Sequence, residues 1–414
     1  MMQNVKSIYI WKLVFSFINE RKELKLIKYN KKFQKRLNIT LFNYKHFTEK
    51  YIIFESNGTG KEYNISNDQL LFEGEYKNCE RNGNGIEYHS NDKVKYIGEY
   101  LNGKRNGKGI EYHTNGNFKF EGEYLRGKKN GKGKEYYING NLKFEGEYLK
   151  GKKWDGFGYS IFNQLIYELK NGKGLIEEYA DDGRLIFKGE YLNGERNGKG
   201  EEYYNDGKLK FEGEYLNGKR NGKGKEYYYN GKIKFEGEYL NDEKHGKGIK
   251  YYANGEINLD AEYKKDKING KVLEYYDNGK LKFKGEYLNG KKHGKGKEYF
   301  SNEELYLECE YINGEKIKVK EYYDWNGILR FEGEYINGKK NGKGKEYWWT
   351  GALKFEGEYI NEKINGKGKE YNLNGNIKFE VEYLNGKKHG KGKDYNNNGE
   401  LTFDGEYLNG VKKE

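Results

Sequence analysis

Residues 211–234 read Phe211-Glu-Gly-Glu-Tyr-Leu-Asn-Gly-Lys-Arg-Asn-Gly-Lys-Gly-Lys-Glu-Tyr-Tyr-Tyr-Asn-Gly-Lys-Ile-Lys234. The first position of this stretch recurs as Phe72, Tyr96, Phe120 and Phe144, and again as Phe187, Phe211, Phe235, Leu259, Phe283, Leu307, Phe331, Phe355, Phe379 and Phe403. Each step is 24 residues except that from 144 to 187, which is 43. That long interval keeps Leu169-Lys-Asn-Gly-Lys-Gly174, so it reads as one normal unit followed by a shortened one. A half-unit, Gly58-Thr-Gly-Lys-Glu-Tyr63, precedes Phe72. The repeats therefore cover residues 58–414 in about fifteen copies, the signature of a repeat architecture.

Inside one unit, Ile233, Phe235, Gly237 and Tyr239 alternate with Lys234, Glu236 and Glu238. A period of two predicts a strand with one apolar and one charged face. The Tyr-rich segment from Gly222 to Tyr229 also lacks helical periodicity. Asn230-Gly231 reads as a two-residue type I′ hairpin turn, and Asn217-Gly-Lys-Arg-Asn221 as a longer loop. Two strands of about eight residues with loops of about two and six complete the period as an antiparallel meander. Gly213, Gly222 and Gly224 recur where a strand interior disfavours glycine, which predicts aromatic rings lying on bare backbone. Gly224 and Tyr227 are an odd number of positions apart, so either a bulge intervenes or they face opposite sides.

Composition narrows the class further. Of 414 residues, 59 are Gly and 43 Tyr, Pro is absent, and only 34% are hydrophobic. Disordered and linker-rich chains carry Pro, whereas a Pro-free chain can place every strand inside a hydrogen-bonded ladder. Two distant cysteines, Cys79 and Cys309, offer no disulfide framework or zinc spacing and suit a reducing compartment. No apolar run is long enough to cross a bilayer as a helix, and Ser7–Ile18 is interrupted by Lys12. The net charge is +12, of which residues 1–55 hold +8, so the repeats are nearly balanced.

The unit Phe-Glu-Gly-Glu-Tyr-x-Asn-Gly-Lys-Arg-Asn-Gly-Lys-Gly resembles the MORN repeat, and the closing Glu-Tyr-Tyr-x-Asn-Gly-Lys resembles its bacterial YwqK-type variant. The resemblance implies an elongated, twisted, single-layer sheet. It also implies roles in scaffolding, cytoskeletal or membrane-associated assembly, with phosphoinositide contact in some members. Family enzymes carry a separate catalytic domain, for which the repeats leave no room here. Some units depart from the pattern: Ala261, Cys309 and Val381 replace the first glycine, and Val272 and Val319 fall in the second Gly-x-Gly. The array is thus irregular at 150–186 and 255–325, through drift in a tolerant array or at a bend or partner contact.

Residues 1–55 form a separate basic segment, with Ile8, Leu13, Phe15, Phe17, Ile18, Leu24, Leu26 and Ile27 at spacings that fit two short helices. Three readings stand: a helical cap on the first edge strand, a basic amphipathic segment on an anionic membrane, or an adaptor helix. For the last, Val14–Leu26 resembles the start of an F-box-like module, without its Leu-Pro opening.

The remaining motifs point away from catalysis. Gly218-Lys-Arg-Asn-Gly222-Lys-Gly has one residue too few between its glycines for a phosphate loop, and no Ser or Thr follows the Lys. His89 and His113 sit 24 residues apart, about 10 Å in a meander, too far to share a zinc ion; His245, His293 and His389 replace the loop Asn. Glu212 and Glu214 belong to repeated carboxylate rows with Lys210 and Lys225 as cross-strand partners. The pairs Lys104-Arg105, Lys128-Lys129, Lys219-Arg220, Lys291-Lys292, Lys339-Lys340 and Lys387-Lys388 recur at one loop position and form the candidate edge for an anionic partner. The expected protein is a non-catalytic, cofactor-free scaffold for protein partners, cytoplasmic or peripheral to membrane or cytoskeleton. Anionic phospholipid binding through that edge and residues 1–55 is the second reading, and an antitoxin-like inhibitor, implied by the YwqK-type resemblance, is the third. Self-association through a sheet edge or face is open, and nucleic acid is disfavoured by the acidic rows.

Overall fold

The computed structural model describes residues 50–413. They form thirty-two strands, from β1 (Lys50–Phe54) to β32 (Val411–Lys412), and no helix. The expected helical cap and F-box-like helix lie outside the described residues. Within each of two sheets, one of eleven strands and one of twenty-one, every strand pairs antiparallel with its sequence neighbour. The chain divides into two compact units, residues 1–195 and 196–414.

The repeat is clearest in β15 (Leu209–Leu216), β16 (Lys219–Tyr227) and β17 (Ile233–Leu240). Its two turns are the reverse of the sequence expectation. Asn217-Gly218 is the two-residue turn, with φ of +51° and +82°, and Leu216 pairs directly with Lys219 across it. Asn230-Gly231 lies in a three-residue loop, where Gly231 N–H donates to Tyr228 O and Tyr228 N–H to Lys232 O. That is a type I turn closed by a left-handed glycine. The Asn230 side chain accepts from Lys232 N–H at 3.0 Å, which favours this arrangement. The residues assigned to a long loop instead open β16 and continue into a bulge. Gly213 pairs with Gly224 and Tyr215 with Arg220, so Asn221, Gly222 and Lys223 stand against Glu214 alone, two residues in excess on β16. A second register shift falls between Glu226 and Tyr227. Its extra residue is Lys234 on β17, so Gly224 and Tyr227, three apart on β16, face opposite sides.

Alternation divides each strand between two faces. On the aromatic face, the Phe211 ring lies across Gly213 and Gly224; a Cβ on Gly224 would come within 2.5 Å of Phe211 Cζ. Tyr215 and Tyr239 meet the ring edge-on at 5.8 and 5.3 Å, and the Arg220 guanidinium caps it at 4.0 Å. Phe211 is fully buried although the sheet is a single layer at this point. The core is therefore a file of rings, each sealed by glycine backbone below and a cation above.

This packing explains the departures from the repeat. Where Leu259 replaces the ring, Ala261 and Val272 replace the two glycines, and all three are buried. Where Leu307 replaces it, Cys309 and Val319 do the same. A smaller side chain is matched by larger neighbours, so volume is conserved. At Phe379 the ring is kept while Val381 is added, and Val381 takes the place against Gly392 that the ring holds elsewhere. Phe379 is accordingly only half-buried. These departures are compensated packing in two units and overpacking in the third.

The shortened unit marks the break between the sheets. Between β11 (Leu165–Leu169) and β12 (Gly174–Tyr179) only an isolated bridge, Lys170 to Lys173, remains. Hairpin tips meet across this break: Ile138 N–H donates to Asp181 O at 3.0 Å, and Lys143 pairs with Asp181 at 2.9 Å.

Candidate functional site

The face opposite the rings carries the charges. In β15 and β16, Glu212 stands opposite Lys225, 3.9 Å apart as an ion pair, and Tyr227 O–H donates to Glu212 at 2.7 Å. The same alternation recurs in many hairpins, where one strand supplies Glu and the other Lys, as in Lys345–Glu356 and Lys369–Glu380. In the second unit this face encloses a groove of about 1870 Å³ between Lys247 and Asp404. Main chain at Gly285, Gly296, Gly333 and Gly344 forms its floor, and the Lys and Glu rows form its walls.

The twelve basic residues of the predicted edge fall into two sets. Lys104, Lys128, Lys219, Lys291, Lys339 and Lys387 are exposed. Their neighbours Arg105, Lys129, Arg220, Lys292, Lys340 and Lys388 are half-buried and turn to the aromatic face. Arg105 covers Tyr96 at 4.0 Å, Lys129 covers Phe120 at 4.1 Å, Lys292 covers Phe283 at 4.0 Å and Lys340 covers Phe331 at 3.9 Å. Arg220 also pairs with Glu202 at 2.5 Å, and Tyr215 O–H donates to the same carboxylate at 2.8 Å. Burial alone would raise the Glu202 carboxyl, but the Arg220 contact and the Tyr215 hydroxyl hold it below its usual value. Lys388 lies 2.6 Å from the Phe379 ring centre, and burial pushes its ammonium down to about 8. The structure therefore gives one residue of each pair to packing and leaves the other at the surface.

Beside each exposed lysine stands an aliphatic side chain that the sequence reading missed. Leu216 opposite Lys219 is 48% exposed, and Ile336 opposite Lys339 is 55% exposed. Leu101, Leu125, Leu288 and Leu384 take the same position. The signal was present in the constant Tyr-Leu/Ile-Asn-Gly, whose aliphatic residue falls on the charged phase of the strand. Two histidines serve the opposite edge, where His89 and His113 ring nitrogens bond to Tyr112 O and Tyr136 O, whereas His245, His293 and His389 lie within strands that begin at the predicted basic edge. Tyr204, Tyr228 and Tyr252 hydroxyls donate to the equivalent carbonyls.

The MORN repeat family model matches residues 96–118, 120–142, 187–208, 211–233, 235–257, 283–303, 331–351 and 382–393. The MORN repeat variant matches 81–102, 268–289 and 364–385, and together the two span more than half of the chain. The chain is a MORN-repeat protein. The variant matches interleave with the standard ones, so the two repeat types share one 24-residue period here. No curated protein matches this MORN-repeat chain. Among solved structures, "Crystal Structure of TcdB2-TccC3-Cdc42" and "Crystal Structure of TcdB2-TccC3" each share 10% identity with a TM-score of 0.13, over 87% of this chain. The MORN-repeat chain spans less than a quarter of the length of either. A TM-score this low carries no structural argument.

Proposed function

We propose that this MORN-repeat chain is a non-catalytic scaffold that holds protein partners in the groove of its second unit. The observation that carries this reading is the groove itself: about 1870 Å³, floored by main chain and walled by rows of Lys and Glu. One row of wall charges is paired, from Lys297–Glu308 to Lys393–Asp404, and the other presents alternating Lys and Glu, which suits docking by complementarity rather than bond-making chemistry. Affinity purification from native lysate with the full chain and with a Lys345→Glu/Lys369→Glu variant tests it. Partners retained by the first and lost by the second are expected; identical sets would overturn the groove as the surface.

A second reading has its own observation, the exposed Lys and half-exposed Leu or Ile at each Asn-Gly tip. Cation and aliphatic group side by side suit the surface of an anionic membrane. Co-sedimentation with phosphatidylserine vesicles, compared with phosphatidylcholine vesicles, tests it. Salt-sensitive binding lost in Lys219→Glu/Lys291→Glu is expected, and equal binding to both vesicles would sink it.

A further inference from the structure

One wall of the groove is regular except at a single place. Along most of it each lysine has a carboxylate opposite: Lys297 and Glu308 at 2.5 Å, Lys369 and Glu380 at 2.9 Å, Lys393 and Asp404 at 3.6 Å. Such pairs neutralise one another and offer a ligand little net charge. Asp260 instead stands between Ile249 and Leu273 on the adjoining strands. Lys284 stands between Leu273 and Lys297. Both Asp260 and Lys284 are exposed, and among the described residues neither has an ion-pair partner. Two lysines placed directly opposite each other repel and cost stability. A glutamate at 284 would continue the alternation, as it does in the neighbouring hairpins.

We infer that Asp260, Leu273 and Lys284 form the point at which the groove selects its partner, an extended peptide segment carrying a basic and an acidic side chain around an aliphatic one. This rests on the groove being the binding surface. The anionic side chain of the partner lies between Lys284 and Lys297, its cationic side chain meets Asp260, and its aliphatic residue covers Leu273. Asp260 and Lys284 are two strand steps apart, about 9.6 Å. The anion's place midway between Lys284 and Lys297 is half a step further, about 12 Å, which an extended chain rising about 3.1–3.4 Å per residue spans in four residues; residues four apart share a face, and the one midway faces Leu273. The recognised order is therefore basic-x-aliphatic-x-acidic, or its reverse for the opposite chain direction.

Panning a random linear peptide library against the full chain, then against Lys284→Glu and Asp260→Lys, tests the inference. The wild type is expected to enrich sequences with oppositely charged residues four positions apart and an aliphatic residue midway between them. Those peptides should bind Lys284→Glu at least tenfold more weakly, while its thermal midpoint stays level or rises because the like-charge contact is gone. Enriched peptides without the charge pair, or binding untouched by Lys284→Glu, would overturn the selection point and leave the groove reading standing. Absence of any enriched sequence would overturn both.

Discussion

The two faces of β15 and β16 are built from alternate residues of the same strands, yet they obey different rules. On one face Phe211, Gly213, Gly224, Tyr215 and Arg220 interlock, and a change at any of them must be answered by a neighbour. On the other, Glu212 and Lys225 meet at 3.9 Å with side chains 39% and 44% exposed, so water screens them. The first face fixes the fold and the second is free to vary in what it presents. A single layer of sheet can thus separate stability from recognition without a second domain.

The largest test of that separation is Phe211→Ala. Removal of a fully buried ring should cost about 3–5 kcal/mol, confined to β15–β17 and read by native-state hydrogen exchange, whereas Lys225→Ala should change exchange by less than about 0.5 kcal/mol. Arg220→Ala should cost about 2–3 kcal/mol because it uncovers the Phe211 ring and leaves the Glu202 carboxylate only its more distant cationic partner, Arg196 at 3.6 Å. Lys219→Ala, one residue away, should be neutral in the same denaturation assay. Leu307→Phe should destabilise by about 1–3 kcal/mol through overpacking, and adding Cys309→Gly and Val319→Gly should restore most of it. Failure of that rescue in thermal melts would refute volume compensation. Tyr96 takes the place of the ring with a buried hydroxyl that has no hydrogen-bond partner, so Tyr96→Phe should stabilise by about 1 kcal/mol. The smallest effect is pH-dependent. Lys388 titrates near 8 in the folded chain, below the usual lysine value of about 10.4. The folded state then binds fewer protons between those values, so this contribution destabilises fully below pH 8 and fades as pH rises toward 10. Calorimetry between pH 7 and 9.5 should show a rise in the midpoint that Lys388→Met abolishes.

Much of this was legible in the chain of letters. The 24-residue period, the strands and the pairing of rings with glycines follow from spacing and from the steric cost of a Cβ. The turns were not legible as such, because Asn-Gly occurs three times in the unit 211–234 and only hydrogen-bond register separates a two-residue turn, a bulge and a three-residue loop. Lys219 and Arg220 could not be told apart for the same reason: a bulge at Asn221–Lys223, invisible in composition, turns one outward and the other onto Phe211. The break at Asp260–Lys284 could have been found by writing the strands in register. It escaped notice because the repeat was compared by its conserved glycines and rings rather than by the charges between them.

One feature bears on how such a chain changes over generations. Each Asn-Gly tip hangs from the hairpin before it, as Gly218 N–H does from Arg196 O at 2.9 Å and Gly290 N–H from Ile268 O at 2.8 Å. A regular hairpin carries one Glu strand and one Lys strand, so a duplicated or deleted regular copy leaves the charge alternation in phase and its tip with a predecessor. Tandem duplication can therefore lengthen or shorten the array in whole units at little structural cost. Lineages would differ in reach first, and only later, by single substitutions like that at Lys284, in what they hold.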